Sequence, residues 1–318
     1  GYFLRVASPD LRRADDTRVR TVRDVIIEVD ASGEVVDEWR LFEILDPNRN
    51  IVLKSIDQGA VCLNIDTSQS GKTLSAEQLA KLEAQHAFGD IAGTGAGRNW
   101  AHVNSVDHDP VDDSIILSSR HQSAVVKIGR DKQVKWILAA PNGWRDGLKD
   151  KVLTPVGKDG RPLSCRIGKC EGGFDWTWTQ HTAWKIDELS KGDIVYVSVF
   201  DNGDGRAFVQ PEDQNEKYSR AVVYKIDQKA MTVEQVWEYG KERGHELYSP
   251  ITSSVEYQAD KNSVVVYWAS IGTGSKTGPA PVLTEFRWGE TKPAFEMHLK
   301  GGMGYRALPI DAQKAFVR

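Results

Sequence analysis

Two imidazoles, a guanidinium, an amide and a hydroxyl recur at matching places in this sequence. His102 and Asn104 lie in Ala101-His102-Val103-Asn104-Ser105-Val106, and Arg120 closes the run Ser114-Ile115-Ile116-Leu117-Ser118-Ser119-Arg120. His181 sits in Trp176-Thr177-Trp178-Thr179-Gln180-His181-Thr182-Ala183-Trp184, and Thr252 in Ile251-Thr252-Ser253-Ser254-Val255-Glu256. An imidazole can act as a nucleophile when neutral, as a general base or as a metal ligand. No carboxylate stands at the matching places, which argues against a metal centre. A guanidinium offers a planar fork of donors suited to an anion with several oxygens. Donors around one accessible imidazole suit transfer of an oxyanion group through a histidine intermediate, with positioning and electrostatics supplying the catalysis. A histidine taken singly reads more simply as a core residue that caps a neighbour. The convergence of several such groups is what raises the functional reading of His181.

That convergence requires elements that bring distant segments together. Three times the sequence gives two short strands and then a hairpin. Ala101–Val106, Thr179–Trp184 and Ile251–Glu256 form the first strand of each set, and Ser114–Arg120, Ile194–Phe200 and Ser263–Trp268 form the second. The hairpins are Val125–Ile128 with Val134–Trp136, Val222–Asp227 with Val233–Trp237, and Leu283–Trp288 with Ala294–Met297. Each second hairpin strand tends to end in an aromatic residue. This is an all-β pattern of four-stranded meanders, the signature of a β-propeller whose blades stack around a channel. The first strand of each blade would line the channel mouth and carry His102 with Asn104, His181 and Thr252. On strict alternation Trp176, Trp178, Gln180, Thr182 and Trp184 share one face and His181 takes the other.

The ends read as incomplete. Val25–Asp30 and Glu34–Trp39 supply an outer hairpin without inner strands, and Gly304-Tyr305-Arg306-Ala307-Leu308 resembles the start of a further blade. Residues 1–318 are therefore expected to be one propeller domain of roughly four blades. Its missing strands would lie upstream in a longer chain or on a companion polypeptide, because a ring must close to hide its sheet edges. Helical pattern is confined to Ser75–Gln85 and a terminal turn over Leu308–Val317.

A net charge of −4 gives no basic footprint for nucleic acid. No apolar run approaches the roughly 20 residues that span a bilayer, and no leader-like pattern opens the chain. Cys165 and Cys170 enclose Arg166-Ile167-Gly168-Lys169. A local disulfide, a metal pair and two buried thiols are all open for them, and the absence of further soft ligands at zinc-like spacing favours the disulfide. Cys62 is then a leftover thiol. Asp201-Asn202-Gly203-Asp204-Gly205 has a calcium-loop look, with Glu212 at the twelfth position, but the strand before it favours a plain turn. Gly93–Gly97 and Thr273–Gly278 read as loops, and His108, His121, His245 and His298 as surface or structural. His121 stands out because it adjoins Arg120.

Asn99-Trp100-Ala101-His102-Val103-Asn104-Ser105, Ser118-Ser119-Arg120-His121 and Gln180-His181-Thr182-Ala183-Trp184 behind a cysteine pair resemble the bacterial arylsulfate sulfotransferases that do not use the nucleotide donor PAPS. The resemblance covers essentially the whole chain. It implies a six-bladed propeller, a periplasmic homodimer, no cofactor or metal, and a ping-pong reaction. In that reaction a sulfuryl group would pass from a phenolic sulfate donor to a histidine and then to an acceptor phenol. On this resemblance His181 is the histidine that is transiently sulfated. His102 and Arg120 hold the sulfuryl oxygens and stabilise the leaving phenolate, and Asn104 assists. Thr252 and Tyr305 are pocket residues, and Cys165 and Cys170 form a short disulfide. The family's amino-terminal β-sandwich and an early blade with another active-site histidine have no counterpart in these residues. A non-catalytic propeller scaffold and a metal-dependent propeller hydrolase are the competing expectations.

Overall fold

Runs such as Ser-Ile-Ile-Leu-Ser-Ser and Ser-Val-Val-Val-Tyr-Trp carry no charged residue, and both become strands buried at every position. A strand is buried on both sides when it is covered on both sides, and its hydroxyls then bond within the core, as those of Ser118 and Ser119 do. These strands lie inside a stack of sheets, and the stack is what positions the site. The computed structural model describes residues 24–47, 49, 77, 100–209, 213–273 and 275–310, with the strand backbones Tyr2–Val6, Leu11–Arg12, Arg18–Thr21 and Gly97–Arg98. Cys62, Glu212, nearly all of the Ser75–Gln85 segment and most of the Leu308–Val317 segment lie outside the described residues.

Ahead of the meanders come β1 (Tyr2–Val6), β2 (Leu11–Arg12), β3 (Arg18–Thr21), β4 (Val25–Val29), β5 (Val35–Arg40), the one-turn helix α1 (Leu41–Ile44) and β6 (Gly97–Arg98). The first meander is β7 (Val103–Asp109), β8 (Ser114–Ser119), β9 (Ala124–Ile128) and β10 (Val134–Leu138). The connection to the next contains β11 (Thr154–Pro155), β12 (Cys165–Arg166) and β13 (Lys169–Cys170). The second meander is β14 (His181–Lys185), β15 (Ile194–Asp201), β16 (Arg220–Asp227) and β17 (Thr232–Tyr239), with β11 added in parallel at its outer edge. The third is β18 (Ser254–Gln258), β19 (Ser263–Trp268), β20 (Val282–Arg287) and β21 (Phe295–His298). All strand pairs within the three meanders are antiparallel.

The protein is all-β in character, and the three predicted meanders are present. The structure differs from the sequence reading in three places. Tyr2–Val6 pairs with Val25–Val29, so the first hairpin carries a third strand on its inner side. Residues 304–308 form no strand. Tyr305 instead accepts a bond from the Ser253 amide through its carbonyl, at 3.0 Å. The tryptophan-rich stretch is a strand only from His181 onward. Thr179 and Thr182 take positive φ, at 50° and 56°, and the register slips between His181 and Ala183. That slip is a β-bulge, and it breaks the alternation on which the face assignment rested. The same slip occurs between Val103 and Ser105 in the first meander.

The sheets pack face to face in chain order. Ile116, Val125, Trp136 and Leu138 of the first meander form one core with Val195, Val197, Val222 and Tyr224 of the second. Phe200, Ala221, Val223 and Trp237 on the opposite face of the second join Val255, Val264, Val266 and Phe286 of the third. Alternation along β16 thus sends Val222 and Tyr224 one way and Ala221 and Val223 the other. The aromatic residues of the outer hairpins are inter-sheet pegs. The indole N–H of Trp39 donates to the Gly129 carbonyl at 2.9 Å, that of Trp136 to Gln228 Oε1 at 3.0 Å, and that of Trp237 to the Glu290 carbonyl at 2.8 Å. Each acceptor lies in the hairpin turn of the following sheet.

Candidate active site

Antiparallel pairing brings the start of each first strand beside the end of its second. Val103 faces Ser119, and His181 faces Phe200. The residues just outside those pairs therefore meet at one edge of the stack: His102, Arg120 and His121 from the first meander, His181 and Asn202 from the second. The chain is held there in sparsely populated backbone conformations. His102, Thr179, Thr182 and Thr252 all have φ between 47° and 58°. For β-branched threonine a positive φ is a real outlier, of the kind that clusters at functional sites.

His181 is 3% exposed. Its Nδ1 lies 2.8 Å from Asn202 Oδ1. Burial, then the positive charge of Arg120, push its pKa down to about 3, against the opposing Asn202 bond, with Arg306 adding the least. The ring is neutral at ordinary pH. The His102 ring centroid is 6.4 Å away and that of Tyr305 6.0 Å, both roughly edge-on. His102 in turn lies 4.9 Å from the buried ring of His121.

Arg120 has no exposed surface. Its Nη2 donates to the Pro250 carbonyl at 3.2 Å and stands 3.6 Å from Asp204 Oδ2. Asp204 is shared: Lys217 Nζ reaches its Oδ1 at 3.1 Å, and the Tyr248 hydroxyl donates to the same oxygen. Asn104 donates to the Gln180 carbonyl at 2.7 Å, tying the first meander to the residue before His181. Gln180 returns the tie, its amide donating to the Ala124 and Ser119 carbonyls. The Thr252 hydroxyl donates to the Ile251 carbonyl at 2.6 Å, and the Thr252 carbonyl accepts from Asn202. Tyr305 is about half exposed, beside His181. The sequence-predicted residues His102, Asn104, Arg120, His181, Thr252 and Tyr305 therefore share one neighbourhood.

Arg306 was not singled out, and His121 and the Asp201–Gly205 turn contribute more than the sequence suggested. Arg306 donates to the Asn104 carbonyl at 2.6 Å, and its guanidinium carbon lies 4.9 Å from the Trp184 ring centroid and 5.2 Å from that of Tyr305. His181 thus feels two guanidinium groups where the sequence offered one. His121 is buried against His102 rather than at the surface. Asp201-Asn202-Gly203-Asp204-Gly205 is a turn, but its three polar side chains are wholly buried and engaged. Asp201 and Asp204 already face Arg and Lys groups, which disfavours a cation there. Gly203 is required: its φ is 92°, and a Cβ would come within 2.1 Å of the Tyr218 carbonyl. The signal for Asn202 was available in the repeat, because it follows the second strand of its meander much as Arg120 and His121 follow theirs.

Behind this edge, Trp176 and Trp178 are core residues packed with Phe174 and Phe208, while Trp184 is half-buried. Cys165 and Cys170 form a disulfide across paired β12 and β13. The tip of the loop, Gly168, lies so close to Trp178 and Ala207 that a Cβ would meet them at 2.7 and 3.0 Å. The clamp therefore bears on Trp178, three residues before His181. Among the described residues no group of three or more His, Cys, Asp or Glu is disposed to hold a metal ion, and no helix is long and apolar enough to cross a membrane.

Residues 1–306 match the family described as Arylsulfotransferase (ASST). Over 271 residues, 85% of this chain, the sequence is 56% identical to arylsulfate sulfotransferase AssT of Escherichia coli O6:H1 (strain CFT073). It is 53% identical over the same length to arylsulfate sulfotransferase AssT of Lelliottia amnigena. The chain spans 43% of the length of each of these relatives.

Proposed function

The chain belongs to the arylsulfotransferase family, and from that premise we propose that the protein transfers a sulfuryl group from a phenolic sulfate ester to an acceptor phenol, through a sulfohistidine at His181 in a ping-pong sequence. The observation that carries the reading is His181 itself: buried, neutral, and under the positive charge of both Arg120 and Arg306. A neutral imidazole keeps a lone pair for attack. Two guanidinium groups favour the anionic sulfuryl oxygens and the phenolate that leaves.

In the first half-reaction a ring nitrogen of His181 forms a bond to sulfur while the sulfur–aryl oxygen bond breaks. The bonding pair departs on the phenolate. In the second, an acceptor phenolate oxygen attacks sulfur, and the sulfur–nitrogen pair returns to the ring. The proton given up by the acceptor balances the one taken up by the released phenolate, so the exchange is proton-neutral overall. His102, 6.4 Å from His181, and Arg120 would flank the transferring group, with Tyr305 beside the aryl ring. Asn104 and Thr252 hold backbone around it. The stacked meanders support reading them as consecutive blades of a propeller. The disulfide supports an oxidising compartment such as the periplasm. A homodimer is carried over from the resemblance.

The test is mass spectrometry of the protein mixed rapidly with an aryl sulfate. A sulfuryl adduct on the peptide containing His181 is expected, together with loss of phenol release in His181→Ala. Unchanged phenol release in that variant would sink the mechanism.

A further inference from the structure

We infer that Asn202 is a positioning residue that holds the His181 proton on Nδ1 and thereby presents Nε2 as the reacting nitrogen. The inference rests on the sulfotransfer reading for its chemistry and on hydrogen-bond geometry for its direction. Asn202 is wholly buried at the end of β15. Its Nδ2 donates to two carbonyls, of Ser249 at 2.7 Å and Thr252 at 3.1 Å. A flipped amide would set its oxygen against both carbonyl oxygens, an arrangement of acceptors without a donor. The amide orientation is therefore fixed, and Oδ1 faces His181 Nδ1 at 2.8 Å. An amide oxygen only accepts, so Nδ1 carries the hydrogen and Nε2 carries the lone pair.

The surroundings keep this choice from relaxing. Ser249 and Thr252 are buried at the entry to the third meander. Ser249 is bonded in turn to Ser219, Ser253 and Ser270. The carbonyls that orient Asn202 thus belong to a saturated hydroxyl network that spans two sheets. The charged or titratable groups bearing on His181 are Arg120 from the first meander, with Asp204 against it, and Arg306 and Tyr305 from the 304–308 segment. His102 approaches from the start of β7.

The electron count follows. The Nε2 pair forms the bond to sulfur, and the aryl oxygen leaves with its own pair. The ring becomes cationic while Nδ1–H stays in place, and Asn202 Oδ1 accepts more strongly from that cation than from the neutral ring. No proton needs to leave His181 in either half-reaction. A neutral orienting group also keeps the ring unprotonated beforehand, where a carboxylate in its place would favour the protonated, non-nucleophilic form.

The experiment begins with 15N-histidine NMR of the intact protein at neutral pH, with His181→Gln used to assign the signal. A protonated Nδ1 coupled to the Asn202 side chain and an unprotonated Nε2 are expected, and a resting Nε2–H tautomer would overturn the inference. This readout needs no aryl sulfate, so it stands apart from the success or failure of the sulfotransfer reading. In Asn202→Ala the tautomers are expected to mix and kcat to fall about 10- to 100-fold, with KM little changed. In Asn202→Asp the fixed tautomer is expected to persist, while the acid limb of kcat/KM moves upward from about 3. A variant that keeps both the tautomer and kcat after Asn202→Ala, or a sulfuryl group mapped to Nδ1, would overturn it.

Discussion

Asp201 and Asp204 belong to one five-residue turn, both are fully buried, and each meets an arginine, but they are held in opposite ways. Asp201 is saturated at short range. Its Oδ2 accepts from Arg220 Nε at 2.8 Å and Arg206 Nη2 at 3.0 Å, and its Oδ1 accepts from the Trp178 amide at 2.8 Å. Arg220 goes on to Glu238, Gln235 and the carbonyls of Asp175 and Trp176. That cluster joins the tryptophan segment to the second meander and turns its charges entirely toward one another. Asp204 is instead divided between Lys217 and Tyr248, and meets Arg120 at 3.6 Å, outside hydrogen-bond range. The first arrangement fixes a scaffold. The second sets a carboxylate near Arg120 without a hydrogen bond between them, and the charge of Arg120 acts on His181. Proximity to the site does not separate the two aspartates; the tightness of the arginine contact does.

The contrast can be broken most decisively at Asp201. Asp201→Ala removes the buried carboxylate that Arg206 and Arg220 share, leaving only the partly exposed Asp175 and Glu238 against them, and a loss of about 3–5 kcal/mol in denaturant unfolding is expected. If Asp204→Ala costs as much, the distinction disappears. Arg120→Ala should act on the reaction instead. Removing a donor from developing charge is expected to lower kcat about 10²- to 10³-fold, with a smaller change in melting temperature than Asp201→Ala produces. An Arg120 variant that melts like the Asp201 variant yet turns over normally would place Arg120 in the scaffold. Reduction of Cys165–Cys170 belongs to the scaffold side, because the loop leans on Trp178. About 2 kcal/mol of stability is expected to go on chain-entropy grounds, while kcat measured on the folded protein stays near its starting value.

The most gradual expected effect is at mild acid. The folded pKa of His181, about 3, lies below the usual histidine value, so the unfolded chain takes up a proton that the folded one refuses. This contribution to stability is complete above about pH 6.5 and is lost as pH falls toward 3, at up to about 1.4 kcal/mol per pH unit. Urea unfolding of wild type and His181→Gln between pH 7 and 5 isolates it as a difference in slope. Parallel slopes would mean that His181 is not buried neutral.

The meanders were legible because each strand is a short apolar run closed by Gly, Asp, Asn or Lys, and because the pattern repeats. The same repeat located His102, Arg120 and His181 at equivalent edges. The side on which His181 leaves its strand was not legible, since strict alternation fails where Thr179 and Thr182 take positive φ and the register slips. Asn202 and Asp204 were read as members of a plain turn, because Asp-Asn-Gly-Asp-Gly has the composition of one and composition does not reveal that neighbouring sheets enclose it. Arg306 was hidden by its position in an irregular segment, where no periodicity marks which residue points inward. Tyr2–Val6 was passed over as a strand because its partner, Val25–Val29, lies well along the sequence.

The indole pegs imply something about how the molecule fails under load. Trp39, Trp136 and Trp237 each bind the turn of the next sheet, so every sheet is fastened chiefly to its immediate neighbours. Such an array behaves as a row of coupled units, with interface terms that act between adjacent members. Loosening one peg should therefore lower the stability of one junction and leave distant ones intact. The site lies across the junctions that join the first, second and third meanders, with Trp136 and Trp237 fastening their outer ends. Fluorescence from these two indoles would then register the separation of the sheets that bring Arg120, His181 and Thr252 together.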